Sequence, residues 1–381
     1  MSHKQKVVPE ISFRVLLKNR LDKDYQKLVQ SLNHALKLFL SSKYSVRNYH
    51  IYPRSKKYQI FKFCLMLLLN ALCIYRIFAV DLISMSMSQF KKNLVTVFAV
   101  TFYLTYAISF SIMFMVDQIH NKNNVLLILK IQTIHKNINY KSIKNFILWN
   151  WISINTIICI NLTLQFVFYI TCVYPFIFDL ICDNICDFMY IATDINIIIA
   201  ARIITLLRKY LEKWIKDILT MKNEQENDEQ CYKLFEIYKK ILKAYNFTVF
   251  LRIYVYALIV FLLTIKSFQI HILVFMFQNW YHNSTIVILL LKNMILAMIL
   301  SIYCEKFYIT VEEAESACIQ LMKNTNCPKS QKQLCKNLIR VNQVSSRMTA
   351  CGLFYIDATL PISLIGVITH YVVVLLQMNY L

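Results

Sequence analysis

The chain has 381 residues, 57% of them hydrophobic and 14% aromatic, with a mean hydropathy of +0.47. That composition excludes a water-soluble domain and a disordered chain and marks a membrane protein. The net charge of +21 is set between apolar runs and almost all on one side of them, so the bilayer is the expected partner and nucleic acid is not.

Residues 1–60 hold thirteen Lys and Arg and form a cytoplasmic N-terminal segment. They are polar and basic, so the first span is expected to serve as its own insertion signal. Within them Leu21, Tyr25, Leu28, Val29, Leu32, Leu36 and Phe39 recur at helical spacing. This predicts an amphipathic helix on the inner membrane surface or against the bundle. Six apolar runs follow, at about Phe61–Val80, Leu94–Val116, Phe146–Tyr174, Phe188–Leu207, Val249–Leu273 and Thr285–Cys304. Each is long enough to cross a bilayer. Arg76, near the outer end of the first, is expected to snorkel to the interface.

The connections differ in chemistry. Residues 117–145 read as a polar loop with five lysines, while Pro175–Asp187 is an outer segment with Asp179, Asp183 and Asp187 and no basic residue. Spans four and six run on without Pro or Gly into charged stretches, Arg208–Lys243 and the region of Glu312, Glu313 and Glu315. These predict helices projecting beyond the membrane. The organisation is therefore a six-span bundle over 61–304 with a cytosolic extension at 208–248, cytosolic anchor helices over 305–347, and a seventh helix with a short outer tail over 348–381.

Charge sets the orientation. The segments assigned inside hold thirteen, five, nine and seven Lys and Arg, and the outer loops hold two, Lys91 and Lys92. The N-terminus is therefore cytoplasmic and, after seven spans, the C-terminus extracellular. This is opposite to a G-protein-coupled receptor. Gln278–Ser284 reads as a short outer turn carrying the sequon Asn283-Ser284-Thr285, a glycosylation candidate at Asn283. The twelve cysteines form no CxxC pair and no Cys/His set suited to zinc, so neither metal nor cofactor is expected. An oxidised link between Cys182 and Cys186, or to Cys172, stays open.

The last span carries the chain's two glycines, Gly352 and Gly366. Ser363, Gly366, His370, Val373 or Val374, and Gln377 recur at steps of three and four and form one small or polar stripe. Such a face packs tightly on another helix or lines a water-filled pore. Thr369, His370, Tyr371, five apolar residues, then Gln377 and Met378 resemble the signature of the insect gustatory receptor family: Thr-Tyr, five hydrophobics, Gln-Phe. His370 stands where the family usually has threonine and Met378 where it has phenylalanine. Ala350, Cys351, Gly352, Leu353, Phe354, Ile356 and Asp357 look like the family too.

The resemblance implies a non-enzymatic taste receptor in the plasma membrane of sensory neurons, a ligand-gated non-selective cation channel. It implies a homo- or heterotetramer with other gustatory subunits, passing monovalent and divalent cations through a pore lined by helix seven. Gln377 and Met378 would form its gate. The small-molecule tastant would bind an outward-facing pocket among helices two to six.

Ionisable residues in the outer halves of spans point to the same region. Asp194 and Lys292 each lie roughly 9–12 Å below the outer face, and Lys266 lies in span five. A charge at that depth pairs or lines a wet cavity, so a structural Asp194–Lys292 ion pair and a ligand pocket are both open. Tyr103, Tyr106, Asn161 and Gln165 could add hydrogen bonds, as could Tyr169, Tyr190 and Gln269. Two other readings compete: an odorant-receptor-type channel subunit, and a secondary transporter, which would show paired broken helices. A zinc-dependent membrane hydrolase would need clustered His and Asp, and only His271 and His370 fall near or within spans.

Overall fold

A computed structural model describes residues 20–83, 89–138, 143–171, 177–220, 228–248, 280–323 and 328–344, with short pieces at 349–350, 354–355, 359, 362–363, 365–366 and 369–370. The described helices are α1 (Lys23–Leu38), α2 (Lys56–Ile83), α3 (Gln89–Ile119), α4 (Asn121–Ile138), α5 (Ile143–Thr171), α6 (Ile177–Leu219), α7 (Asp228–Thr248), α8 (Trp280–Lys323) and α9 (Lys329–Val344). Two small antiparallel hairpins join them: β1 (Ser45–Arg47) with β2 (His50–Tyr52), and β3 (Thr349–Ala350) with β4 (Phe354–Tyr355). In the first, Asn48 and Tyr49 both take positive φ, 47° and 63°. That is the two-residue turn whose twist matches the strands.

Among the described residues, α2, α5, α6 and α8 are long and apolar enough to span a membrane, and α3 contributes a shorter apolar stretch, Tyr106–Ile119. Span five lies outside the described residues. So do most residues of span seven. α6 is the organising element. Every residue from Ile191 to Ala201 is buried, the polar Thr193, Asp194 and Asn196 among eight apolar ones, so this part of α6 is enclosed on all sides. It packs against α8, α5, α7, α4, α1 and α2. At about 1.5 Å per residue, α6 and α8 are each about 65 Å long, twice the hydrocarbon thickness. Both therefore project well beyond the bilayer as unbroken helices.

The projecting halves build a cytosolic core with α1, α4, α7 and α9. Trp214 is fully buried and donates its indole N–H to Leu234 C=O at 2.8 Å. Tyr245 stacks on Phe307 with ring centroids 3.9 Å apart. Tyr238 donates to Asn342 Oδ1 at 2.5 Å, and Asn342 donates to Glu315 Oε2 at 3.2 Å, tying α7, α9 and α8 together.

Of the two positions open to the amphipathic helix, the structure takes the bundle. Tyr25, Leu28, Val29 and Leu32 of α1 are buried against it, and the Tyr25 hydroxyl donates to Ile128 C=O at 3.0 Å. Five expectations are corrected. The seventh helix does not begin at 348, because Thr349–Ala350 pairs with Phe354–Tyr355 as a hairpin. Residues 117–145 are no loop, because α4 occupies 121–138 and buries Val125, Leu127, Ile128, Ile131 and Ile134. The outer segment is helical from Ile177, as the start of α6. The turn at 278–284 gives way to helix at Trp280, so Asn283 lies in the opening turns of α8. Arg76 does not snorkel; it is 6% exposed and paired.

Candidate functional site

The outer half of the bundle holds two polar groups, one on each flank of α6. On the first, Lys292 of α8 lies 2.7 Å from Asp194 Oδ2 of α6 and donates to Asn161 Oδ1 of α5 at 2.9 Å. Asn161 donates its own amide N–H to Ile157 C=O, one turn back at 2.9 Å. That bond turns its oxygen toward the lysine. Asp194 is fully buried and Lys292 nearly so. No donor among the described residues reaches Asp194 Oδ1. A buried carboxylate pairs in this way because an isolated charge in apolar surroundings costs several kcal/mol.

Lys292 also lines a cleft of about 620 Å³ between α5, α6 and α8. Its walls are apolar, from Ile157, Ile160, Ile198, Leu291, Ile295 and Ile299, and it runs inward as far as Ser153, Arg202 and Tyr303. The volume is that of a small-molecule site.

On the opposite flank, Arg76 of α2 grips both oxygens of Asp183 of α6, at 3.0 and 2.9 Å. Tyr103 of α3 donates to the same carboxylate at 3.0 Å, and Tyr106 donates to Asp187 at 2.8 Å. A bidentate arginine–carboxylate pair with a phenol on the same acid is a rigid clamp between three helices. Arg76 and Asp183 carry the signal that the sequence reading missed. They are opposite charges in outer span ends whose partnership shows only once α2 and α6 are neighbours.

The proposed pocket residues therefore divide. Asp194, Lys292 and Asn161 come together, with Gln165 half-buried one turn along α5. Tyr103 and Tyr106 belong to the second group. Tyr169 and Tyr190 lie on the described backbones of α5 and α6. Lys266 and Gln269 lie outside the described residues, as do Tyr371, Val373, Val374, Gln377, Met378 and Cys172. Cys182 and Cys186 are both buried on α6, and Cys186 Sγ lies 4.0 Å from Cys73 Sγ of α2. In the last span Ser363, Gly366, Thr369 and His370 are all exposed, and a methyl group added at Gly366 would meet no atom within 4 Å. No three metal-ligating side chains cluster among the described residues.

A third polar group sits at the inner membrane boundary. Asp117, at the inner end of α3, is shared by Lys43 and Lys62. Burial alone would raise its carboxyl, but the two lysines outweigh that and hold it below the ordinary aspartate range. This locks the segment between α1 and β1 to α2 and α3.

No protein-family model matches the sequence, and no curated protein matches it. Solved structures do share its fold. The insect olfactory receptor OR5 of Machilis hrabei superposes with a TM-score of 0.58 at 13% identity, covering 94% of this chain and 100% of that one. The same receptor in complex with eugenol gives 0.58 at 12% identity, with 94% and 100% covered. The chain is an all-α membrane protein with the fold of these receptors.

Proposed function

We propose that the chain is a chemoreceptor subunit of gustatory type, a ligand-gated cation channel in a sensory-cell plasma membrane. Four copies would surround one pore lined by the seventh helix. The observation that carries this reading is the bare face of that helix. Its described positions, Ile362, Ser363, Ile365, Gly366, Thr369 and His370, are all exposed in the single chain, and four of the six are small or polar. A spanning helix with such a face needs copies of itself or water beside it. The Tyr371, five hydrophobics, Gln377 ending supports the gustatory form. The receptor fold supports a channel over a transporter.

The tastant site in this reading is the outer end of the cleft, where Lys292, held from behind by the buried Asp194, is the polar group on an otherwise apolar wall. A small polar molecule bound there would favour the open state by its higher affinity for it. The glycosylation candidate at Asn283 belongs to this reading as well. A second reading, an odorant-type subunit, is favoured by the olfactory receptors that share the fold. Recording whole-cell currents under separate tastant and volatile panels distinguishes the two. Gln377→Ala should change gating or ion selectivity at unchanged surface expression; unaltered currents would remove Gln377 from the pore.

A further inference from the structure

The cleft between α5, α6 and α8 has two unlike ends. Its outer end is electrically balanced, because Asp194 neutralises Lys292. Its inner end is not. Arg202 lines the cleft eight residues further along α6, about 12 Å inward at about 1.5 Å per residue. Its partners are all neutral: Asn150 Oδ1 at 2.7 Å, Phe146 C=O at 3.4 Å and the Tyr303 hydroxyl. Its guanidinium lies 4.5 Å from the centre of the Phe146 ring, and Lys209, two turns closer to the cytosol, lies 5.5 Å from the same ring. No carboxylate among the described residues reaches either cation. Arg202 lies five residues inside the inner end of span four at Leu207 and Lys209 two residues beyond it, so the pair brackets the inner interface.

Between the ends the walls are apolar, and the lips are exposed side chains, Ile160 on one helix and Leu291 and Ile295 on the other. The cleft thus opens sideways, toward the acyl region of the bilayer.

We propose that the cleft binds one anionic phospholipid of the inner leaflet, its phosphate on Arg202 and Lys209 and one acyl chain running outward between α5 and α8 and leaving the cleft over its exposed lip at Ile295, below the outer end assigned to the tastant. The polarity of the cleft selects this occupant. An outer-leaflet lipid would place its head at the neutralised end. A wholly apolar guest would leave two cations without an anion. Arginine presents donors in a fork that matches phosphate oxygens, and anionic lipids are enriched in the cytoplasmic leaflet. The acyl chain gains little by leaving the surrounding hydrocarbon, so selectivity resides in the head group.

The test uses the full chain, purified and exchanged into neutral detergent, with phosphatidylserine and phosphatidylcholine of matched chains as probes. Thermal stability and native mass spectrometry report binding. Phosphatidylserine should be retained and should raise the unfolding temperature more than phosphatidylcholine. Arg202→Gln should weaken its retention by about tenfold or more, the scale of one charge-assisted hydrogen bond, and Arg202→Lys should keep most of it. Ile295→Trp, which fills the cleft from its exposed lip, should abolish retention with Arg202 intact. Equal retention of the two lipids by the wild type would overturn the proposal, as would retention unchanged in Ile295→Trp. Protection by glycerophosphoserine, the head group without chains, equal to that by the lipid would make this a soluble-anion site and overturn it too. The wild-type comparisons decide even if Arg202→Gln fails to fold.

Discussion

Replacing Asp194 by asparagine keeps the shape of the site and removes its negative charge. The Lys292 ammonium is then held only by Asn161 and the new amide, almost wholly out of water. At the observed 2.7 Å and an effective dielectric constant of about 20, the lost attraction is about 6 kcal/mol. Part of that is offset because the carboxylate no longer has to be dehydrated. Removing one partner of a buried pair has a net cost of about 3–5 kcal/mol. Reversible unfolding in mixed micelles, followed by circular dichroism, should therefore show Asp194→Asn destabilised by about that amount. The double variant Asp194→Leu with Lys292→Met removes both charges at similar volume and should recover most of the loss. A single variant within about 1 kcal/mol of the wild type would refute the buried pair as the keystone between α6 and α8. So would a double variant no more stable than the single one. The same two variants, assayed for currents, separate structure from ligand binding. A double variant that is stable yet silent to every tastant places the charges in recognition.

The Asp117 carboxyl is depressed by Lys43 and Lys62, so its stabilisation is present above the unfolded pKa of about 3.9 and is lost as pH falls through the lower folded value. Melting temperature should be insensitive to this group from about pH 5 to 8 and should drop below about pH 4, with the drop shallower in Asp117→Asn. Tyr238→Phe removes the hydroxyl held by Asn342 and should cost about 1 kcal/mol, read as faster proteolysis of the α7–α9 region at unchanged helical content. Epitope tags before Met1 and after Leu381 should be reached by antibody only after permeabilisation and on intact cells, respectively. A C-terminal tag hidden on intact cells would contradict the inferred orientation.

What the sequence by itself determined is what neighbouring residues decide together. Apolar length predicted the spans that are described, continuity without Pro or Gly predicted the projecting ends of α6 and α8, and the placement of Lys and Arg supplied the orientation. Helical spacing placed the buried face of α1 on Leu28, Val29 and Leu32. It would have found α4 as well, but Lys122, Lys130, Lys136 and the interleaved Asn residues masked the spacing of Val125, Ile128 and Ile131. Lysine and asparagine are what a cytosolic helix shows to water. The tertiary structure decided which distant residues meet. Lys292 and Asp194 are 98 positions apart, and Arg76 and Asp183 are 107 apart. Periodicity gives each helix its faces but not its neighbours. In a membrane every span is apolar, so the choice of neighbour rests on shape and on a few buried polar atoms. For that reason Tyr103 and Asp194, both placed in one pocket by depth alone, lie in separate groups on the two flanks of α6.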